Sequence, residues 1–454
     1  MKRNRYLLHF WSPFFLLIAQ SGIWAYVWMN YYRHTLPEPI YWRGNLLVCT
    51  VYFVLLFLIS SFYGGLRVGY YRASDVGLSG MIALALTNGI TWAQASLMAG
   101  AILTPVPIAV MTLAQAAIIW RWAIAMHTLY ERTVPPRRML LIYGGLDSAK
   151  RLVSKLVTRS EKYQVQESLC VTAAGVGDAC AKIPDFEAVV FCDIPPQIYC
   201  ELHTFCFRHS IRVYTVPSIQ DILTRSAAEM NLFDTPLLLS RNQGLNEERR
   251  VVKRAFDILL SGIALVALSP FMLITAVAVK LYDGGPVIYA QERLTVNAQR
   301  FLLYKFRSMS QDAEKNGARL STQNDDRITP VGKVIRALRL DELPQLVNIL
   351  KGDMSIVGPR PERPEIAEEY HETMPEFEYR LKVKAGLTGY AQVFGNYNTD
   401  PWDKLLMDLI YISNYSLMLD FKIMLMTVKI LLQRDRTTGI EDGKVTPRKE
   451  EGGQ

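Results

Sequence analysis

Four apolar stretches, residues 12–32, 45–63, 79–99 and 102–122, fill most of the N-terminal quarter of the chain. Each is close to the ~20 residues that a helix needs to cross the hydrocarbon core of a bilayer. Backbone polar groups in lipid must be satisfied within their own segment, so all four are predicted to be helices. The third is the weakest, because "LTNGITWAQAS" carries Asn88 and Gln94. Trp and Tyr gather near several of the ends, as interface anchors do. The first stretch follows Lys2, Arg3 and Arg5 and is too long and too aromatic for a cleavable signal peptide. Arg67 and Arg72 follow the second; Arg121, Arg132, Arg137 and Arg138 follow the fourth. With the basic start, this distribution puts both ends of the four-helix region, residues 1–132, in the cytoplasm. Arg33 and Arg43 on the opposite side weaken that bias without reversing it.

The remaining two thirds must hold further cores, since 454 residues exceed what one core supports. After "VPPRR" the character changes. "MLLIYGG", "LDSAKRLVSKLV", "AVVFCDI", "CELHTFCFRHS" and "RVYTVP" alternate strand-like and helix-like runs. That rhythm predicts a Rossmann-like α/β domain with a parallel sheet over residues 137–240. Gly144-Gly145 does not complete G-x-G-x-x-G, because Leu146 and Ala149 occupy the later glycine positions. A scaffold or a degenerate nucleotide pocket fits better than a dinucleotide site. The six cysteines form no C-x-x-C pair, which points to reduced thiols rather than zinc or disulfides. The formal charge of +8 suits a phosphate-bearing partner or an anionic membrane face. Nucleic acid is not expected, since the basic residues form no dense tract.

Residues 258–281, "ILLSGIALVALSPFMLITAVAVKL", could be a fifth span. Pro270 removes a backbone donor and predicts a kink, and Ser269 can satisfy a group that the proline frees. Both flanks are basic: Arg249, Arg250, Lys253 and Arg254 before, Lys280, Arg293, Lys305 and Arg307 after. A helix over 254–281 that enters, breaks at Ser269-Pro270 and returns keeps both flanks in the cytoplasm. A kinked true span is the alternative. Further on, "LMLDFKIMLMTVKILL" can lie in or on the membrane surface. The polar end, 437–454, is predicted to be disordered.

The chemistry concentrates in "RALRLDELPQLVNILKGDMSIVGPRPE". Leu343, Leu346, Val347 and Leu350 share a helical face and Pro344 sits at its first turn, so Asp341 and Glu342 stand at a helix start. Either could be a cap, for ~0.5–2 kcal/mol. A cap needs one carboxylate, whereas here two adjoin among Arg336, Arg339, Arg360 and Arg363. Adjacent carboxylates repel, which favours one of them holding a cation such as Mg²⁺ and leaves the other to attack phosphorus. Arginines match phosphate oxygens geometrically. Capping and catalysis both remain open on the residues alone.

"KRAFDILLSGIALVALSP", "GPVIYAQERLT", "FLLYKFRSM", the stretch just quoted, "VKAGLTGYAQVFG" and "KLLMDLIYISNYSLMLDFKIMLMT" follow in the order found in bacterial sugar transferases. The chain resembles these monotopic polyprenyl-phosphate glycosyl-1-phosphate transferases over about residues 250–434, and its four helices and α/β unit resemble their large branch. The resemblance implies a mostly α, mixed α/β catalytic domain over 248–436 with a re-entrant membrane helix broken at Ser269-Pro270. It implies Asp341 as the nucleophile that takes sugar-1-phosphate from a UDP-sugar and releases UMP, and Glu342 as the Mg²⁺ ligand. It also implies that Arg336 and Arg360 contact phosphate, with Lys305 and Arg307 as further site residues. Asp408 is a separate candidate, read from the residues as the one carboxylate on the otherwise apolar "LLMDLIYI"; a surface-facing charge is the alternative. Undecaprenyl phosphate then attacks the aspartyl intermediate. Such enzymes start exopolysaccharide, capsule or O-antigen repeat units at the cytoplasmic face of the inner membrane. A homodimer is compatible with the sequence.

Three positions depart from the family pattern: Thr295 replaces a usual glycine, Ala385 a usual proline and Tyr390 a frequent tryptophan. His203, His209 and His371 lack metal-ligand spacing, and "NDD" at 324–326 reads as a turn rather than a D-x-D metal site. The rival readings are a glycosyltransferase that releases UDP and a membrane regulator without catalysis.

Overall fold

The computed structural model describes residues 11–240, 245–310, 325, 327–395 and 399–431. Two compact units divide between Val216 and Pro217. The first opens with α1 (Ser12–Asn30), α2 (Trp42–Tyr63), α3 (Ala73–Ala99) and α4 (Val106–Thr133), all long and apolar enough to cross a membrane. The last of these starts later than its hydropathy suggests. Pro105 caps it and a second proline sits in its first turn, where a missing N–H leaves no helix bond unmade.

Polar residues inside this bundle explain the weak third segment. Asn88 accepts from the Tyr52 hydroxyl at 2.9 Å and donates to Thr112 at 2.7 Å and Gln115 at 2.9 Å. Gln115 in turn donates to the Gln20 carbonyl at 2.9 Å, so all four helices meet in one network. Trp24 stacks on Tyr52 with ring centroids 4.9 Å apart. Bonds of this kind average only about 0.6 kcal/mol between membrane helices, so the network sets helix register more than it supplies strength.

The α/β rhythm of the sequence is realised as β1 (Arg137–Tyr143), α5 (Leu146–Val157), β2 (Tyr163–Cys170), α6 (Val171–Lys182), β3 (Ala188–Cys192), α7 (Pro196–Arg208) and β4 (Arg212–Thr215). The strands are all parallel in the order β2-β1-β3-β4. Met139 and Leu141 pack on one face of β1, Leu140 and Ile142 on the other, as a sheet covered on both sides requires. Ligands of such sheets lie beyond the strand ends where the order reverses, here between β1 and β3. At that place the backbone needs glycine, since a Cβ on Gly144 would stand 2.1 Å from the Asp193 carbonyl oxygen. The six cysteines are free.

Residues 217–240, grouped with the α/β unit on sequence, belong instead to the second compact unit. A capping box of Ser218 and Asp221 starts α8 (Ile219–Arg225), which ends the sheet rather than extending it. An antiparallel hairpin, β5 (Ala228–Leu232) and β6 (Thr235–Leu239), follows.

The second unit is mixed α/β. Its first long element is α9 (Glu247–Asp283), followed by the antiparallel pair β7 (Ile288–Leu294) and β8 (Arg300–Phe306). Next come α10 (Pro330–Ala337), α11 (Gln345–Lys351), β9 (Ser355–Val357), α12 (Pro364–Thr373), β10 (Gly386–Thr388), α13 (Tyr390–Phe394), α14 (Pro401–Ser413) and α15 (Leu417–Leu431). β9 and β10 pair in parallel, and α8 packs on α14. The tail at 437–454 lies outside the described residues, as do Asn324 and Asp326.

The break expected at Ser269-Pro270 is not a break in the helix: α9 runs on through Pro270. The proline cannot donate to the Val266 carbonyl, and Ser269 Oγ donates to that same oxygen at 2.8 Å. Lys253, Asp257, Ser261, Thr275 and Val279 are its buried residues, and their spacing keeps one face of the helix on the second unit from end to end. Phe256, Leu259, Ile263, Val266, Phe271 and Ile274 are exposed on the other sides.

Lys253 Nζ lies 2.6 Å from Asp420 Oδ2 on α15, where both side chains are 9% exposed. Tyr411 Oη donates to the other oxygen of Asp420 at 2.7 Å. Lys253→Met leaves that carboxylate buried without a counter-charge, so it lowers stability by about 3–5 kcal/mol. The double variant K253M/D420L recovers most of the loss. Thermal unfolding of the full chain in detergent tests this; equal midpoints for the single and double variants contradict it.

Candidate active site

α10 ends at Ala337, and two residues later the backbone of Arg339 turns left-handed, with φ 56°. A non-glycine residue held there costs about 1–3 kcal/mol, a strain that surrounding structure must enforce. The tight turn Leu340–Glu342 follows and delivers both carboxylates just ahead of α11. Neither turn nor helix has a side-chain cap hydrogen bond. The capping explanation for Asp341 and Glu342 therefore falls.

The two acids have opposite surroundings. Glu342 Oε1 lies 3.2 Å from Arg360 Nη2, 3.6 Å from Lys305 Nζ and 3.8 Å from Arg339 Nη1. Burial alone would raise its pKa, but these cations outweigh it and hold the carboxyl at about 2. Asp341 is 8% exposed, and its Oδ1 is buried without a hydrogen-bond partner. Burial, and then the charge of Glu342, push its pKa up; Lys305, Arg336 and Arg339 pull against them. Adjacent residues thus form a firmly ionised acid and a poorly solvated one. Lys305 comes from β8, with its pKa lowered first by burial and supported by Glu342.

The turn at 358–361 presents Arg360. Its glycine is required by close approach, since a Cβ on Gly358 would stand 2.4 Å from the Lys384 carbonyl oxygen. Gly358 N–H donates to the Thr388 carbonyl at 2.9 Å, and Gly386 N–H to Pro359 at 2.8 Å. The turn is thus laid directly on the β10 segment, backbone against backbone.

Sequence and geometry agree in bringing together Asp341, Glu342, Arg360 and Lys305, with Arg336 acting on Asp341 through its charge. Arg307 stands apart. β8 stops at Phe306, so the two-residue spacing from Lys305 no longer fixes a shared face, and Arg307 pairs with Asp283 at the end of α9. Asp408 is neither a surface charge nor open to a phosphate: it is 1% exposed and lies 2.8 Å from Arg380 Nη2. Ser269 and Pro270 lie on the exposed side of α9. Arg339, named on sequence only as a neighbour of the acidic pair, faces Glu342 because its backbone is left-handed. Arg380 is the residue that sequence reasoning missed, because its partners lie 18 and 28 residues away. Among the described residues no group of three or more His, Cys, Asp or Glu could hold a metal.

Residues 248–434 match the family described as bacterial sugar transferase. A UDP-N-acetylgalactosamine-undecaprenyl-phosphate N-acetylgalactosaminephosphotransferase of Aeromonas hydrophila is 46% identical over 184 residues, 40% of this chain and 44% of that protein. An undecaprenyl-phosphate glucose phosphotransferase of Komagataeibacter xylinus is 31% identical over 342 residues, 70% of this chain and 64% of its own length. The exopolysaccharide production protein PSS of Rhizobium leguminosarum bv. phaseoli is 39% identical over 197 residues, 41% of this chain, and is covered over 98% of its length. Of the first two relatives, then, the chain spans 44% and 64%.

Two departures from the family pattern turn out to be one. Thr295 Oγ1 accepts from the Ala385 N–H at 3.2 Å and donates to the Asp353 carbonyl at 2.9 Å. A proline at 385 would lack that donor, and a glycine at 295 would lack the hydroxyl. The exchange therefore compensates itself beside the 358–361 turn. Thr295→Ala leaves a buried N–H unpaired and costs about 1–3 kcal/mol, and clearly less when Ala385→Pro is already present. Unfolding of the single and double variants measures the coupling, and additive losses contradict it.

Proposed function

The chain belongs to the bacterial sugar transferase family, and from that premise we propose that it transfers a sugar-1-phosphate from a UDP-sugar to undecaprenyl phosphate, starting an exopolysaccharide, capsule or O-antigen repeat unit. The observation that carries this reading is the unpartnered, buried Oδ1 of Asp341 beside a Glu342 neutralised by three cations. A carboxylate oxygen without hydrogen bonds keeps its lone pairs for a substrate atom. Asp341 attacks the phosphorus that carries the sugar, the bond to the UMP oxygen breaks, and UMP leaves with the electron pair. Arg360, Lys305 and Arg339 stabilise charge gathering on the phosphoryl oxygens. An oxygen of undecaprenyl phosphate then attacks the same phosphorus, the acyl-phosphate bond breaks, and Asp341 regains its carboxylate. One pocket serves both substrates in turn.

Mg²⁺ fits a site with two carboxylates, because it commonly takes one or two such ligands and fills its shell with substrate phosphate and water. Glu342 would hold it. When bound it adds positive charge at the leaving phosphate, while the three cations above remain this chain's own contribution.

The proposed membrane arrangement rests on α9. Lys253 and Asp257 before the proline, and Thr275 and Val279 after it, all bury themselves in the second unit. A helix attached to one folded unit at both ends and unbroken between them fits lying in one face of the bilayer better than crossing it. Its exposed Phe256, Ile263, Val266 and Phe271, with Met418 and Phe421 of α15, suit acyl chains. The catalytic unit then rests on the cytoplasmic face of the inner membrane, where a soluble donor and a lipid acceptor can both reach Asp341. The middle sheet is a Rossmann-like scaffold in this account.

Membranes or solubilised protein given undecaprenyl phosphate, Mg²⁺ and single UDP-sugars are expected to release UMP from one of them. Release of UDP contradicts the reaction class. Asp341→Asn is expected to abolish turnover while remaining folded; retained activity removes Asp341 as nucleophile. Asp341 acts as a carboxylate and its pKa is raised, so kcat/KM falls with decreasing pH at a value above the ~3.9 of a free aspartate. Glu342→Gln removes one of the causes of that rise, so the acid limb of its residual activity moves to lower pH.

A further inference from the structure

Arg360 contacts Glu342 through a side chain that is 45% exposed. A long exposed arginine keeps much of its rotamer freedom, so its own packing does not fix where the guanidinium stands. What is fixed is the backbone beneath it. Arg380 Nη2 donates to the Arg360 carbonyl at 3.0 Å, Arg293 Nη1 to the Pro361 carbonyl at 3.0 Å, and Leu294 N–H to the Glu362 carbonyl at 3.0 Å. Three successive carbonyls of the turn are therefore held.

Arg380 is the centre of this arrangement. Its side chain is 4% exposed, and it also meets Glu362 Oε1 at 3.2 Å and Asp408 Oδ2 at 2.8 Å. Burial disfavours its charge, but the two carboxylates overcome that and keep it protonated. A buried ion cluster of this kind is a poor source of stability, since well-packed apolar residues often do as well or better. Its geometry is more telling, because one planar fork grips both sides of Pro361. A lysine, a single point charge, cannot do that.

We propose that Arg380, oriented by Asp408, is a positioning residue: it fixes the turn backbone so that the guanidinium of Arg360 stands against Glu342 and the donor phosphates. The inference rests on the proposed reaction, and it gives Asp408 its place one layer behind the site.

The test is a double-mutant cycle on the full chain in detergent, comparing wild type, Arg360→Ala, Arg380→Lys and both together. kcat/KM for UMP release is read with the donor that the wild type uses, and UDP affinity is read by calorimetry. Arg360→Ala is expected to lose about 10²–10³-fold in kcat/KM. Arg380→Lys loses about 10²-fold, as a small misplacement of a catalytic group does. The double variant falls no further than Arg360→Ala alone. A merely structural Arg380 gives losses that multiply, and that result, or wild-type activity in Arg380→Lys, overturns the proposal. Asp408→Asn, nearly isosteric, repeats the cycle if Arg380→Lys fails to fold. A wild type that releases no UMP but shows the cycle in UDP affinity contradicts the reaction and upholds the clamp.

Discussion

Everything in the second unit converges on one electrostatic problem, which is to keep two neighbouring carboxylates buried and different from each other. Arg360, Lys305 and Arg339 all approach Oε1 of Glu342 within 4 Å, while Oδ1 of Asp341 is left with no partner. Each cation arrives from a separate element, by a separate device. Strand β8 carries Lys305, a glycine-dependent turn carries Arg360, and a strained left-handed residue carries Arg339. Removing any one of these devices shifts the balance between the two acids, which is why so much backbone is committed to so small a centre.

The long helix α9 answers a second constraint. In the proposed reaction a donor in water and an acceptor in lipid meet one aspartate. The helix turns a polar and small-residue stripe to the catalytic unit and leaves an apolar remainder exposed, as contact with a bilayer would require. Pro270 would weaken it at the middle, but the Ser269 hydroxyl replaces the lost bond at Val266. The buried Lys253–Asp420 pair ties the helix to α15, which exposes apolar residues of its own.

Much of this could be read from the chain. Hydropathy located α1 to α4 because lipid imposes length and composition directly, and strand–helix alternation located the parallel sheet. The acidic pair and the 358–361 turn were legible because their spacing is local. What could not be read was pairing across distance. Asp408 looked like one carboxylate on an apolar helix until its partner, Arg380, 28 residues away, came into view. Arg307 and Lys305 share a motif but not a destination, since the strand ends between them. Thr295 and Ala385 looked like two unrelated oddities 90 residues apart, whereas one hydrogen bond joins them. The boundary near residue 217 was missed because a capping box, a local signal, ended a sheet whose extent is a tertiary property.

In the proposed reaction Asp341 becomes covalently bonded to the sugar phosphate. The direct measurement is mass spectrometry of the protein incubated with its UDP-sugar and Mg²⁺ in the absence of undecaprenyl phosphate. The expected result is a mass increase of one sugar phosphate, located on the peptide containing Asp341, reversed by added undecaprenyl phosphate. An unmodified Asp341 in a preparation that still forms product on complete substrates would contradict it.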